Sequence, residues 1–548
     1  MSEKQPLVAR KGQPFQQTSA EDRKEHYTAS VSHLVSGSVI IMGAGLSGMA
    51  AAIQLKRKLG LDDVLVYEKT SDVGGTWNVN RYPGAACDIP ISFYSFSFYP
   101  AYNASSQWAG QKEILTYLHE VQDKFNLRNI VFRTAVETAT FSRDDGLWHL
   151  SVRDEETGKV RQRTCNILLS CLGGLTIPND PPFDPKDFNG KVFHSARWDQ
   201  SVSIKDKDLV IVGNGCSAAQ IVPEVIKEAK SVTQVARSRQ SIVRRPHVPD
   251  GPFLRFLIRY VPGFAFILRF FIFVVMEHFF SFTHLVKGRK KREWLVKDTK
   301  AFIREVAPKK YWDVLEPDFD VAAKRRVFDT GYYESLNAPN MELIADDTVT
   351  SVKGDKVYTK GGRELRADVI ALATGFKVRD YLFPLKIYNS EGVSLQDLLN
   401  KTKVKTYQST LISGFENFFW LMGPNSATGH SSVLFTTEAQ LNLVFHLIRP
   451  ILAKLKQAPN AKPAPYVGVT PAAEDRFYAD LRKEMKNRVW EKDGGVSWYV
   501  DKSTGLCTTL YPWSQVHFWR SCTFPRYGDF KWTGASPPSA WRSWLGWC

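Results

Sequence analysis

Two short glycine-rich turns carry the clearest chemistry in the chain: Gly43-Ala44-Gly45-Leu46-Ser47-Gly48 and Gly213-Asn214-Gly215-Cys216-Ser217-Ala218. Each reads G-x-G-x-x-G/A, a spacing that suits a dinucleotide pyrophosphate. The first Gly permits a tight turn and the second lets backbone amides approach the phosphates. The third small residue lets a helix pack closely on its strand, with the phosphates at the helix N-terminus. Leu46, Ser47, Asn214 and Ser217 lie inside these turns and are candidate contacts.

Such turns work only between a strand and a helix, and the flanking sequence supplies both. Residues 38–41 predict a buried strand, 49–59 an Ala- and Leu-rich helix ended by Gly60, and 64–67 a second strand closed by Glu68. A carboxylate at that position accepts hydrogen bonds from a ribose 2′-hydroxyl and repels a 2′-phosphate, so the first site suits FAD over NADP. A second unit opens at Asp208 with LVIVGNGCSAAQIVPEV, and after a strand at 231–235 the place of Glu68 is taken by Arg237, followed by Ser238 and Arg239. A cation and a hydroxyl there can hold a 2′-phosphate, so the second site prefers NADPH. Simple solvation of a surface by Arg237 and Arg239 is the plainer reading, and it loses weight because the fold sets the position.

Two further segments are patterned. Residues 74–88, GGTWNVNRYPGAACD, fit [AG]-G-x-W-x4-[FY]-P-[GM]-x3-D through Gly74, Trp77, Tyr82, Pro83, Gly84 and Asp88. Residues 188–199, FNGKVFHSARWD, read F-x-G-x-x-x-H-x-x-x-W-D and lie between the two turns. Taken alone, the first is a loop with two packing aromatics. The second is a connector with an aromatic at each end, a Gly for a sharp turn and a His able to hydrogen-bond from both ring nitrogens. Together with the two turns they match the fingerprints of the flavin-dependent Baeyer–Villiger monooxygenases, which the chain resembles over roughly residues 38–530. The leader, GPNSATGHSS at 423–432 and the WYVDKSTG loop look most like filamentous-fungal members that tailor polyketides and terpenoids.

The resemblance implies an α/β fold with two Rossmann-like dinucleotide-binding domains, for FAD and NADP, and a helical insertion. The division on the sequence is a polar leader at 1–36, an FAD-binding domain at 37–180 and 371–548, an NADP-binding domain at 181–250 and 321–370, and the insertion at 251–320. It also implies an active-site arginine in a Lys-Arg pair some seven residues before a Tyr-Tyr pair. Lys324 and Arg325 stand before Tyr332 and Tyr333, so the catalytic role falls on Arg325, with the adjacent Arg326 as the alternative. Asp88 matches the aspartate that hydrogen-bonds this arginine, and Trp498 the tryptophan that contacts NADP. Gly75, Thr76, Trp77, Asp88 and Tyr94, with Val136 on a strand able to line the adenine, complete the FAD contacts; Arg237, Ser238, Lys324 and Trp498 would hold NADP. The reaction implied is insertion of one atom of O2 into a ketone C–C bond through a C4a-peroxyflavin, with an ester or lactone as product. A permanently charged guanidinium suits the negative charge that develops there, where a Lys could lose its proton.

The insertion is the most apolar stretch, PFLRFLIRYVPGFAFILRFFIFVVMEHFF, followed by the basic run 287–292. Arg255, Arg259 and Arg269 interrupt it and Pro262-Gly263 divides it, so it is not a clean span. It is expected to pack on the core as helices. The sharper reading is peripheral membrane contact through 251–292, or an opening to a greasy substrate. His430 reads as a satisfied loop histidine with no role, and the segment around Trp498 and Tyr499 as a mobile loop.

Composition bounds the rest. Among 548 residues, 72 Lys+Arg against 56 Asp+Glu give +16, which suits nucleic acid, a phosphorylated cofactor or an anionic membrane. No nucleic-acid-binding motif accompanies the charge, so no nucleic acid is expected. Seven scattered cysteines without a C-x-x-C pair fit reduced thiols in the cytoplasm and exclude a dithiol flavin reductase. No metal site is expected; the partners are a small-molecule ketone and O2, and a monomer or weak oligomer. A heteroatom-oxygenating flavin monooxygenase is the alternative function. That class has Tyr or Phe in place of Trp198 and lacks the Asp and Arg pair.

Overall fold

The computed structural model describes residues 37–494 and 497–538. The polar leader predicted at 1–36 lies outside them.

The first sheet is built on β1 (Gly37–Met42), whose side chains from Val39 onward are all buried, as an interior parallel strand requires. It pairs in parallel with β2 (Val64–Tyr67) on one side, and β2 with β3 (Ile130–Val131). On its other side runs β6 (Val160–Ser170), reached through an antiparallel meander of β4 (Thr134–Ser142) and β5 (Leu147–Asp154). Strand Lys386–Tyr388 extends the sheet beside β4, and Phe418–Trp420 pairs with the end of β6. Helix α1 (Leu46–Leu59) begins directly after Gly45, earlier than the predicted start at Met49, and ends at Gly60 with φ +60°. The early start makes Leu46, Ser47 and Gly48 the first helical turn, so their amides stand at the end of the helix dipole.

The second sheet is wholly parallel, in the order β10-β9-β8-β11-β7, with β7 Lys191–His194, β8 Asp208–Val212, β9 Ser231–Ala236, β10 Met341–Ala345 and β11 Val369–Leu372. Helix α3 (Cys216–Val225) crosses from β8 to β9; α2 (Gln111–Lys124) belongs to the first domain. The apolar strand of ADVIALATGF is β11, fully buried between β8 and β7, so the chain leaves this sheet after Leu372, two residues beyond the boundary drawn at 370/371.

Between β9 and β10 lies the insertion, with α4 (Pro252–Tyr260), α5 (Phe264–Phe280) and α6 (Arg289–Val306). A short parallel ladder, Ile242–Val243 on Val327–Phe328, closes its base. Helix α7 (Val433–Gln457) lies against α1 and buries a long apolar face.

The connector at 188–199 owes its glycine to space rather than to a turn. A Cβ on Gly190 would stand 2.2 Å from the Asp368 carbonyl and 2.5 Å from the Phe188 ring. Phe188 is buried, Trp198 packs edge-on against Phe193, and Asp199 accepts hydrogen bonds from the Ser201 amide and hydroxyl. His194 ends β7 with Nδ1 accepting from the Ala196 amide at 3.1 Å, and its ring meets Phe376 edge-on. Burial lowers its pKa to about 4 against a backbone contact with Gly375, with Arg197 adding to the fall, so the imidazole is neutral near pH 7.

Candidate active site between the two nucleotide folds

The C-terminal ends of β1, β2, β8 and β9 open on one cavity of about 2120 Å³, lined by both glycine-rich turns. In the first, Gly43 adopts φ +98°, and a Cβ on Gly48 would lie 1.8 Å from the Gly43 carbonyl oxygen. Gly75, at φ +52°, faces Gly45 so closely that its Cβ would be 3.0 Å from the Gly45 Cα. Two bare backbones therefore meet at the mouth of α1, whose N-terminus has no side-chain cap and no acid in its first turn. That is a cradle suited to a pyrophosphate. Glu68 supports it: Oε2 accepts from the Ala44 amide at 2.7 Å, and Oε1 from the Thr70 amide and hydroxyl. Ser47 is bound to Thr437 of α7 at 2.9 Å. Trp77 donates to the Tyr94 hydroxyl at 3.1 Å, and both line the cavity with Leu46, Thr76 and Val136.

In the second turn Gly213 has φ +126° and presses on the Ala373 carbonyl, while a Cβ on Gly215 would meet nothing within 4 Å. Helix α3 is likewise uncapped and free of acids in its first turn. Gln234 donates to the Gly213 carbonyl at 2.9 Å and to the Asn214 side chain, and accepts from Tyr332 at 2.8 Å. Tyr332 thus braces the turn from behind, while Tyr333 donates to the Ile242 carbonyl at 3.0 Å. Arg237 and Ser238 are exposed on the cavity wall beside it. Arg239 turns away, to the Glu316 carbonyl and towards Asp318 and Asp346. Lys324 donates to the Arg239 carbonyl at 2.6 Å and sits 4.1 Å from the Phe319 ring centre, with burial lowering its pKa. Gly48 and Ala218 do not reach the cavity; they pack helix on strand behind it.

Between the turns, Arg325 Nε and Nη2 both donate to Asp88 Oδ2, at 3.1 and 2.5 Å. The two side chains retain 22% and 30% of their surface, and that surface faces the cavity. Burial pulls the guanidinium down, but the charge of Asp88, with Tyr499 and the hydrogen bond to Asp88, carries it well above the usual range. Arg325 is therefore permanently charged. Arg326 points the other way, over the rings of Phe279 and Phe282 at 5.3 and 5.9 Å, and burial together with Arg325 lowers it to about 10. Only Arg325 of the two lines the cavity.

The patterned loop at 74–88 also joins the two domains. Tyr82 donates to Gln220 of α3 at 2.9 Å, Gln220 donates back to the Ala86 carbonyl, and a Cβ on Gly84 would be 2.3 Å from the Gln220 carbonyl oxygen. Sequence reasoning missed Gln220 as the partner, because nothing local marks it. It also passed over Cys216, whose thiol opens on the cavity. Cys216 is exposed there, and the charge of Asp88 opposes its ionisation while that of Arg325 favours it. The late segment is folded down around Tyr499, which is buried, and a short hairpin of Val500–Asp501 on Leu506–Cys507. Trp498 stays 47% exposed against Tyr499, at 4.7 Å between ring centres, on the cavity wall. His430 is bound to Glu277 of α5 at 2.9 Å, and no metal-binding group of His, Cys, Asp and Glu occurs among the described residues.

The description of the flavin-binding monooxygenase-like family matches residues 36–258. A protein named FAD-binding monooxygenase ktnD, from Aspergillus niger, is 30% identical over 506 residues, covering 90% of this chain and 81% of that one. A Baeyer-Villiger monooxygenase of Pseudomonas aeruginosa is 30% identical over 477 residues, covering 86% and 87%. Among solved structures, oxidized steroid monooxygenase bound to NADP matches 91% of this chain and 100% of that one, with TM-score 0.78 and 26% identity. Closed cyclohexanone monooxygenase matches 91% and 99% with TM-score 0.77 at 21% identity, a likeness of fold. With both nucleotide turns and the Asp88–Arg325 pair around one cavity, the chain belongs to the Baeyer–Villiger monooxygenases, a family of flavoprotein enzymes.

Proposed function

We propose that this enzyme uses FAD and NADPH to insert one oxygen atom of O2 between a ketone carbonyl and its neighbouring carbon. The products are an ester or lactone, water and NADP⁺. FAD bound at the first turn, once reduced by NADPH, supplies the activated oxygen. The observation that carries this reading is the Arg325–Asp88 pair in the wall between the two turns.

The protein's own groups divide the work. The turn at Gly43–Gly48, backed by Gly75, takes one pyrophosphate, with Glu68 beside the ribose. The turn at Gly213–Ala218 takes the other, with Arg237 and Ser238 for a 2′-phosphate and Lys324 and Trp498 along the wall. A ketone carbonyl beside Arg325 gains negative charge as its carbon is attacked, and a fixed guanidinium stabilises that charge without reorganising. Asp88 fixes the direction of the guanidinium and offsets the cost of burying it. The likeness of residues 423–432 and of the WYVDKSTG loop to fungal tailoring members is the ground for a polyketide- or terpenoid-type ketone as substrate, and the scattered thiols favour the cytoplasm.

Incubation of the purified flavoprotein with NADPH, isotope-labelled O2 and a panel of cyclic, aryl and polyketide-derived ketones tests the reading. The expected product is an ester or lactone with one labelled oxygen. Labelled sulfoxide from a thioether, with no ester from any ketone, would instead mark a heteroatom oxygenase.

A further inference from the structure

We propose that α4 and α5 dock the enzyme flat on an anionic lipid surface, as an interfacial helical hairpin that does not span. Packing on the core accounts for only one side of this insertion. In α5 only Ala265, Arg269, Ile272 and Phe280 are buried. The opposite face carries Phe266, Ile267, Phe270, Phe271, Val274 and Val275, a continuous stripe at helical spacing, with Ile267 68% and Phe270 67% exposed. Helix α4 adds Phe253, Phe256 and Tyr260 at the same period, also exposed. Monomeric soluble proteins rarely leave so large a contiguous apolar surface open to water.

Charge around the stripe selects the occupant. Arg259 lies exposed on α4, and the segment after α5 presents Lys287, Arg289 and Lys290 to solvent. Lys291 donates to Ser281 at 2.6 Å, which places this cluster at the C-terminal end of the stripe. Between residues 251 and 292 the one acid is Glu277, and it is turned inward onto His430 and the Gln515 amide. Just beyond, the exposed Glu293 pairs with Arg289 at 3.5 Å, which leaves Arg259, Lys287 and Lys290 as the cations facing solvent beside the stripe. An apolar stripe flanked by these cations complements anionic headgroups above acyl chains.

The inner face decides against a span. By length and composition Phe264–Thr283 is a candidate membrane helix. Yet Arg269 donates to the Phe93 and Ser95 carbonyls at 3.0 and 2.7 Å, and Glu277 is held as described. Both ties fix α5 lengthwise against the FAD-binding domain. The helix can enter a membrane only by its outer face.

Flotation of the full-length flavoprotein with vesicles of phosphatidylcholine and phosphatidylserine tests this, with pure phosphatidylcholine vesicles beside them. The parent is expected to float with the anionic vesicles at low salt and to be released by added salt. Ile267→Glu with Phe270→Glu should lower the bound fraction by about tenfold or more, with flavin content and NADPH oxidation in solution unchanged. Lys287→Ala with Lys290→Ala leaves the helices intact and should weaken binding by about fivefold per lysine. The proposal is overturned if the parent stays unbound at low salt, or if both variants float as the parent does. It is equally overturned if size-exclusion shows the apolar variant turning a dimer into a monomer while flotation is unchanged, since the stripe is then a contact between copies.

Discussion

The two glycine-rich turns share a fold and differ in finish. Around the first, no room is left: the Gly43 carbonyl would meet a Cβ on Gly48 at 1.8 Å, Gly75 closes on Gly45, and Glu68 spends both oxygens on the Ala44 and Thr70 amides. Around the second, the equivalent of Gly48 is the fully buried Ala218, Gly215 is open on the cavity side, and Arg237 and Ser238 stand exposed. One site is enclosed and rigid, the other accessible with its cation free. That contrast fits a flavin that stays and a nicotinamide nucleotide that exchanges.

The contrast is open to attack at four points. Gly48→Ala forces a backbone clash worth about 3 kcal/mol, so FAD affinity should fall about a hundredfold and the protein should purify without flavin absorbance. Ala218→Gly on the other side should change NADPH binding by less than about tenfold, since Gly costs ~1 kcal/mol in a helix. Equal effects at the two positions would erase the difference between the turns. Next, Arg237→Ala should raise the KM for NADPH by about ten- to a hundredfold, the worth of a charge-assisted contact of ~1.5–3 kcal/mol. The KM for NADH should stay put; a parallel loss for both nucleotides would remove the 2′-phosphate from the argument. At the low end of that range, Glu68→Gln should weaken FAD binding about tenfold, one hydrogen bond to a charged group at ~1.5 kcal/mol.

A further effect, read as stability and not as binding, lies at the junction of the two domains. His194 is held neutral, its folded pKa near 4 lying below the ordinary 6.5. Between those values the unfolded chain binds the extra proton, so this contribution is whole above pH 6.5 and fades as pH falls towards 4, by up to ~1.4 kcal/mol per pH unit. Glu474, in the first turn of helix Pro471–Met485, has the opposite sense: burial raises it to about 7, and its protonated form favours the fold below that pH. Thermal melts from pH 7 to pH 4 should show His194→Gln with a flatter acid limb than the parent. An unchanged limb would mean that His194 takes up its proton in the folded state.

How much of this is legible in the sequence follows the range of each constraint. The turns are local: strand, glycines and helix are adjacent, and the position expected to face a ribose sits at a distance the fold fixes, so Glu68 and Arg237 stand out unaided as candidates. The meeting of Asp88 with Arg325 is not local, and only resemblance to a family pairs them. What resists reading depends on surfaces formed after folding. Tyr82 and Gly84 look like loop chemistry but fit the face of α3 at Gln220. Gly190 reads as a turn residue yet serves a close crossing at Asp368. The stretch around Trp498 reads as mobile, but Tyr499 anchors it in the core. The apolar run at 264–280 gives no hint of which face its two charges will bind, and those charges leave the other face bare.

The measurement that bears most directly on the account is ester formed per NADPH consumed, for Arg325→Ala beside Arg326→Ala at equal flavin content. Losing the Arg325 guanidinium removes a stabilising donor worth about 3 kcal/mol of barrier. Ester should then fall roughly a hundredfold or more while NADPH is still oxidised, and Arg326→Ala should keep the parental ratio. An Arg325→Ala enzyme that makes ester at the parental rate would contradict the account.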